Sequence, residues 1–462
     1  MPEVLVGPYP VGFDPIAFYV PMTLDWSSKP AGPMTMLGTA PLLFLISVPI
    51  YRLAHVSPVW IFKFLGPFLY GSMIWALYRF LKLGLGWPEK SALLGGIFTS
   101  IYFVTLRIGW DLFRTVLSLI FLLLLVPILM KSKPHDRPLL QTLLLGLIIL
   151  SDQLTGILAL AILGTLIVMD LWNHDYELAG RRTPQFLIGS AILSAVTFAF
   201  FFYPTSYFPI PNLGPAVFGL PLGVLFLPYA FLPLSPLVLF GVKQKVTFEV
   251  KSWILICMLL TLVTALPFTI FRETSYRWIL LMDIPVCIVA FAGLERTIAS
   301  MSQIKRPRFL GTLKRVGYPA IFISLGIVYI TLPANLAMPY YTQFPRLIPT
   351  SMVQNTVPSY DMNSIVQCLN WVADRNLPGT ALITHQVFYG WARAYFAFPN
   401  EIIDYQFGSP QSGASQATAL GYSRIYMIWW VEGTGWYYTP FVTSGFVVVH
   451  IEGNIAVYYY QS

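Results

Sequence analysis

Trp253-Ile-Leu-Ile-Cys-Met-Leu-Leu-Thr-Leu-Val-Thr-Ala-Leu-Pro-Phe-Thr-Ile-Phe271 carries no charged side chain. It runs for about twenty residues, the length a helix needs to cross a bilayer. Outward from it lie further apolar runs, Thr115–Met130, Phe186–Tyr203 and Val217–Val242. The whole chain is 56% hydrophobic and only 10% charged, with mean hydropathy +0.68. A soluble chain carries about a quarter charged residues. These runs predict a polytopic α-helical membrane protein with about ten to eleven membrane helices. The 34 Phe, 26 Tyr and 13 Trp suit helix packing and interfacial belts.

The net charge of +8 sets topology rather than recruiting nucleic acid, because the basic residues lie mostly in short loops. Arg79–Lys90, Lys131–Arg137, Asp170–Arg182, Gly241–Lys251 and Ser300–Arg315 are basic. Arg107–Arg114, Ser151–Thr155, Pro204–Leu220 and Arg272–Arg277 carry little net charge. The positive-inside rule puts the first set in the cytoplasm, and the chain beyond about Met338 then falls outside. Residues 1–33 are external if Met36–Leu53 lies in the interface, and cytoplasmic if it crosses. That segment holds Pro41, Pro49 and Arg52. The first thirty residues show no basic n-region and no apolar h-region. Cys257, Cys287 and Cys368 form no disulfide framework and match no metal spacing.

From Pro339 the pattern changes. Ala381–His385, Ile425–Trp430, Gly445–Ile451 and Ile455–Tyr460 read as strands, rich in β-branched and aromatic residues. Ile365–Asn376 reads as an amphipathic helix capped by Asp361 or Asn363, and Gly390–Phe396 belongs to a second. The organisation expected is an external loop region over 1–33, a helical bundle over 34–338 and a small extracytoplasmic α/β domain over 339–462.

Four polar clusters interrupt this apolar chain. Asp14, in Pro8-Tyr-Pro-Val-Gly-Phe-Asp-Pro-Ile-Ala-Phe-Tyr-Val20, stands with Asp25. It is either an Asx turn or a carboxylate that activates a hydroxyl or holds a cation. Arg107, Asp111 and Arg114 lie between two apolar segments. Asp111 and Arg114 are one helical turn apart and could simply pair, or an Arg holds phosphate beside Asp111. Asp152 either caps the following helix or acts at membrane depth. Arg272, Glu273 and Arg277 form an interfacial anchor or a phosphate site, and Asp283 follows as an intramembrane acid. His385 reads as a strand end. No HExxH, GxSxG, P-loop or CxxC is present.

The order of these features resembles the GT-C superfamily of membrane glycosyltransferases: a loop acid at the N-terminus, a second acid between early helices, a late external Arg and a C-terminal α/β domain. Arg107–Arg114 resembles the second acidic loop of oligosaccharyltransferase catalytic subunits. Cys368–Ala392 resembles the opening of their external domain, with Gln386-Val-Phe-Tyr-Gly-Trp in place of the WWDYG signature. A GT-C protein carries a helix before its first external loop, and none is readable here, which leaves the start of the chain open. The resemblance implies sugar transfer from a polyprenyl-phosphate donor to a protein or glycan acceptor on the outer face of the plasma membrane. It makes Asp14 the base and Asp111 a second acid. Arg107, Arg114, Arg272 and Arg277 become candidates for the donor phosphate, with Asp152 and Glu273 as further candidates. A divalent metal, Mg or Mn, would sit on Asp14 and Asp111. Membrane lipid and the lipid-linked donor are the implied partners, and nucleic acid is not. Two other readings remain: a non-catalytic membrane subunit whose external domain binds a partner, and a lipid or solute transporter.

Overall fold

A computed structural model of the chain describes residues 7–10, 12–29, 31–130, 137–203, 226–228, 230–242, 247–266, 275–302, 317, 324, 357, 359–375, 377–396, 401–405, 408–431 and 444–461. The chain divides into two compact units: Met1–Pro30, Ile46–Gly66 and Ile330–Ser462 form one, and Ala31–Leu45 with Pro67–Tyr329 form the other.

The second unit is helical. Among the described residues five helices are long and apolar enough to cross a bilayer: Pro58–Gly84, Gln153–Trp172, Tyr176–Phe202, Phe248–Ala265 and Ser275–Ala299. The first of them begins in the other unit. A bent pair, Glu89–Ile101 with Phe103–Asp111, makes a sixth if counted as one span. Leu42–Ala54, Phe113–Leu129, Pro138–Ser151 and Leu232–Gly241 are shorter apolar helices. The protein is therefore a helical membrane protein with a small C-terminal sheet. Within the Trp253–Phe271 run the helix is described to Ala265, and residues 267–271 lie outside the described residues. Leu266 turns extended, at φ −66° and ψ 142°, because Pro267 disfavours helical backbone in the residue before it.

Ser275–Ser302 is the core of this unit. Trp278 through Ile284 and Val286 through Ala292 are buried, against Ser235–Gly241, Phe248–Ala265, Glu89–Ile101 and Phe103–Asp111. With no hydrophobic drive between helices in lipid, close backbone approach supplies packing energy. Here it is reciprocal: a Cβ on Gly241 would strike the Val289 carbonyl, and one on Gly293 would strike the Leu237 carbonyl.

Arg107–Arg114, expected as a loop, is instead the end of one helix and the start of the next. Tyr102 breaks the first pair with extended backbone (φ −68°, ψ 137°), bending it by 71°. Leu112, at φ −95° and ψ 59°, separates Asp111 from Phe113. The break is stabilised from outside. Tyr70 donates its hydroxyl to the Ser100 carbonyl, and Tyr102 donates its own to the Ala230 carbonyl. Irregular backbone at membrane depth survives where neighbouring protein supplies such partners.

The first unit holds the sheet. Its strands are β1 (Thr380–Thr384), β2 (Ile402–Asp404), β3 (Arg424–Trp430), β4 (Phe446–Glu452) and β5 (Ile455–Tyr460), in the order β2-β1-β3-β5-β4. β1 is parallel to β2 and β3, and β5 is antiparallel to β3 and β4. Helix Gln386–Tyr395 connects β1 to β2, and Pro410–Ala419 connects β2 to β3. Met362–Ala373 packs on β3, β4 and β5. The four expected strands are present, and β2 is an addition.

Residues 7–29 belong to this same unit. A π-helical turn, Pro15–Tyr19, leads into the helix Val20–Ser28, and both pack on Gln386–Tyr395. Gly390 permits the contact: a Cβ there would strike the Ile16 carbonyl.

Alanine at Gly241 or Gly293 is expected to lower the melting temperature, at a cost of about 1–3 kcal/mol. Alanine at Gly96, where an added Cβ meets nothing within 4 Å, should leave it level or raise it. Equal melts for all three variants would refute the close-packing account.

Candidate functional site

Asp14 is 8% exposed. It stands at the N-cap of the Pro15–Tyr19 turn with helical backbone (φ −58°, ψ −39°) and makes no side-chain cap bond. Its Oδ2 accepts from the Tyr19 hydroxyl at 3.3 Å, one turn on. This bond holds the carboxylate in place from within its own turn.

The segment carrying Asp14 is tied down on both sides. Before it, the Tyr9 carbonyl accepts from Lys63 Nζ at 2.6 Å, and the Tyr9 hydroxyl donates to Asn363 Oδ1 at 3.3 Å. The Tyr9 ring meets Trp391 edge-on at 5.4 Å. After it, Asp25 forms an ion pair with Arg393, the Thr23 and Ser47 hydroxyls share a bond of 2.8 Å, and Arg52 donates to the Ser27 carbonyl. Sequence reasoning paired Asp14 with Asp25 but passed over Lys63 and Arg393. Lys63 had a signal, a lone cation early in an apolar helix. Arg393, in the last turn of Gln386–Tyr395, had only its partial burial, which no sequence pattern displays. That burial pulls its guanidinium below the usual range.

In the helical unit Arg107 and Asp111 face each other at 2.6 Å, four residues apart, with side chains 0% and 1% exposed. Arg114 donates from Nε to the Ser151 carbonyl at 3.2 Å. The Asp152 carboxylate accepts from the Thr155 amide at 3.2 Å and the Thr155 hydroxyl at 2.6 Å. The Thr115 hydroxyl lies 3.5 Å away. This is a helix cap with a bond to the neighbouring helix. Asp283 is buried on Ser275–Ser302, accepting from Thr105 at Oδ2 and from the Cys287 thiol, 3.5 Å from Oδ1. Arg277 is half-buried in the first turn of that helix, its guanidinium 6.0 Å from the Tyr276 ring. Arg272 and Glu273 lie outside the described residues.

No protein-family model and no curated protein sequence matches this chain. The chemistry is therefore argued from the residues.

The described residues hold three kinds of group in separate places: an enclosed carboxylate on a turn in one unit, and in the other an ion pair inside the bundle and an arginine at a helix start. Among them no three His, Cys, Asp or Glu side chains gather. They do not by themselves supply the ligand set of a divalent cation. Asp14 and Asp111 belong to different units.

His385 ends β1 and caps Gln386–Tyr395, its Nδ1 accepting from the Val387 amide at 3.3 Å. Tyr405 and Trp429 meet its ring edge-on. Burial lowers its pKa to about 4. Asp361, expected as a cap, instead accepts from Trp430 Nε1 at 2.9 Å and Asn454 Nδ2 at 3.1 Å. Burial raises its carboxyl, against those two bonds.

Two outcomes follow. Asp111→Ala strands a buried guanidinium and should cost about 3–5 kcal/mol. The double change Arg107→Met with Asp111→Leu should recover much of that, read as melting temperature in detergent. A double variant no better than the single would contradict it. The unfolded chain binds a proton at His385 near pH 6.5, well above the folded value. Stability is thus complete above about pH 6.5 and falls as the pH drops toward 4, by up to about 3 kcal/mol. Melts of wild type and His385→Asn across this window should converge at low pH, and parallel profiles would count against it.

Proposed function

We propose that this protein is a membrane glycosyltransferase that moves a sugar from a polyprenyl-phosphate or -diphosphate donor to an acceptor hydroxyl or amide at the outer face. The supporting observation is the setting of Asp14: an enclosed carboxylate on a π-helical turn, packed into the same unit as an α/β domain. A base needs a fixed position, and the Tyr19 hydroxyl helps to hold it.

The other half of the reaction is charge. The donor's phosphate gains negative charge as the sugar leaves, and a fixed cation stabilises that change. Arg277, in the other unit, is the candidate that the GT-C resemblance offers for this role among the described residues. The lipid tail remains in the bilayer while the headgroup meets Asp14. The scheme is written with this chain's own groups.

The bent helix pair beside buried Asp283 favours one competing reading, transport of an apolar or lipid-linked substrate through a broken helix. A non-catalytic subunit is the other, supported by the mutual neutralisation of Arg107 and Asp111.

The test is sugar transfer by the purified protein in lipid, with polyprenyl-linked donors. Asp14→Asn should lose on the order of a hundredfold or more of kcat with its melt unchanged. Equal transfer by both proteins would remove Asp14 from catalysis. No transfer from any donor would favour the non-catalytic subunit, and substrate flux into vesicles would favour the transporter.

A further inference from the structure

Lys63 and Arg393 take no part in the chemistry proposed for Asp14, yet they hold the two ends of the segment that carries it. Lys63 is 7% exposed. Its ammonium spends a bond on a backbone carbonyl, that of Tyr9. A lysine enclosed at this point of an apolar helix is costly unless it is bonded. At the far end, the Asp25–Arg393 pair joins Val20–Ser28 to the last turn of Gln386–Tyr395. The Arg393 side chain is 12% exposed, and among the described residues its Nε has no partner. Its attachment therefore runs through the terminal nitrogens. Between these two ties Gly390 lets the main chain of Ile16 and Ala17 approach the helix closely, and Ile16, Val20 and Met22 are buried.

We infer that Lys63 and the Asp25–Arg393 pair are positioning elements for Asp14, clamping residues 7–29 as a strap across the Gln386–Tyr395 helix. Apolar burial along the strap is non-directional. Its polar ends add the directional bonds that fix its register. Lys63 fixes residue 9, Arg393 fixes residue 25, and Asp14 lies between them. Releasing either end lets the turn shift along the helix. A shift of about 1 Å at a catalytic group is enough to cost on the order of a hundredfold in rate. The role assigned to Asp14 rests on the glycosyltransferase reading, but the clamping does not.

Accordingly the experiment has two arms. In the first, Asp14→Cys is labelled with a membrane-impermeant maleimide. The native cysteines Cys257, Cys287 and Cys368 are buried and give low background. Adding Arg393→Met or Lys63→Met should raise the labelling rate about tenfold, and the swap Asp25→Arg with Arg393→Asp should return it toward the parent value. In the second arm, sugar transfer by the Asp14 protein should show a lower kcat with an unchanged donor KM in Arg393→Met, recovered in the swap. Lys63→Arg should retain more activity than Lys63→Met.

Labelling that is unchanged by both methionine variants overturns the strap, whether or not the protein transfers sugar. Raised labelling with no rescue in the charge swap overturns the pairing role and reduces Arg393 to packing. Raised labelling, rescued by the swap, in a protein that transfers no sugar supports the clamp and overturns the glycosyltransferase reading alone.

Discussion

A bilayer offers a polar atom nothing to bond with, and that constraint organises the helical unit. Arg107 faces Asp111. Arg182 bridges Asp170, at 2.5 Å, and the Leu129 carbonyl, at 2.8 Å, tying three helices together. Asp152 takes two bonds from Thr155. Asp283 takes one from Thr105 and one from Cys287. Each of these buried groups sits where a partner can reach it, because the alternative costs several kcal/mol per group. The partners then dictate the backbone. The helix can break at Tyr102 because Tyr70 reaches the Ser100 carbonyl, and the short helix that follows is oriented by Thr105 on Asp283. The bend results from satisfied polar groups, since no proline or glycine stands at the break.

The other unit solves a different problem. A sheet of five strands, the last two forming a hairpin, needs cover for its apolar faces. The crossover helices Gln386–Tyr395 and Pro410–Ala419 supply part of it, as does Met362–Ala373. Residues 7–29 then lie on Gln386–Tyr395, where Trp391 is buried and meets Tyr9. The N-terminal segment is short and Pro-rich, and is not long enough to build a core of its own. It gains order from tertiary contacts, several of them to residues more than three hundred positions away. Its acid inherits a fixed position from the domain beneath it.

Much of this was legible in the sequence where it depends on local pattern. Long apolar runs gave helices, and alternation of β-branched and aromatic residues gave β1, β3, β4 and β5. β2 escaped because three residues, Ile402–Asp404, are too few to show a period. The Asp152 cap was readable, since Ser151-Asp152-Gln153 sits before an apolar helix and the cap bond spans three residues. The partner of Asp111 was not. Arg107 and Arg114 stand one turn away on either side, and spacing alone favours neither. The kink at Leu112 ends the helix after Asp111 and leaves Arg107 on the same helical face. Lys63 and Arg393 escaped for a more general reason. Their partners lie 54 and 368 residues away, and no window along the chain contains both ends of such a bond.

The same electrostatics separates the arginines as candidates for a phosphate. For Arg107 to hold one, it must leave Asp111, and the buried carboxylate would lose its 2.6 Å partner. That exchange trades one ion pair for another of similar kind and leaves a buried charge without that partner, so it runs uphill by several kcal/mol. Arg114 stands outside that pair but spends Nε on the Ser151 carbonyl. Arg277 donates its Nε to the Tyr276 hydroxyl at 3.4 Å. It is half-buried in the first turn of Ser275–Ser302, where amide groups point outward and the helix dipole already favours an anion. An anion arriving there adds to an existing field. If a phosphate meets this protein at a described residue, charge balance directs it to the start of that helix and leaves the Arg107–Asp111 pair as part of the bundle's internal structure.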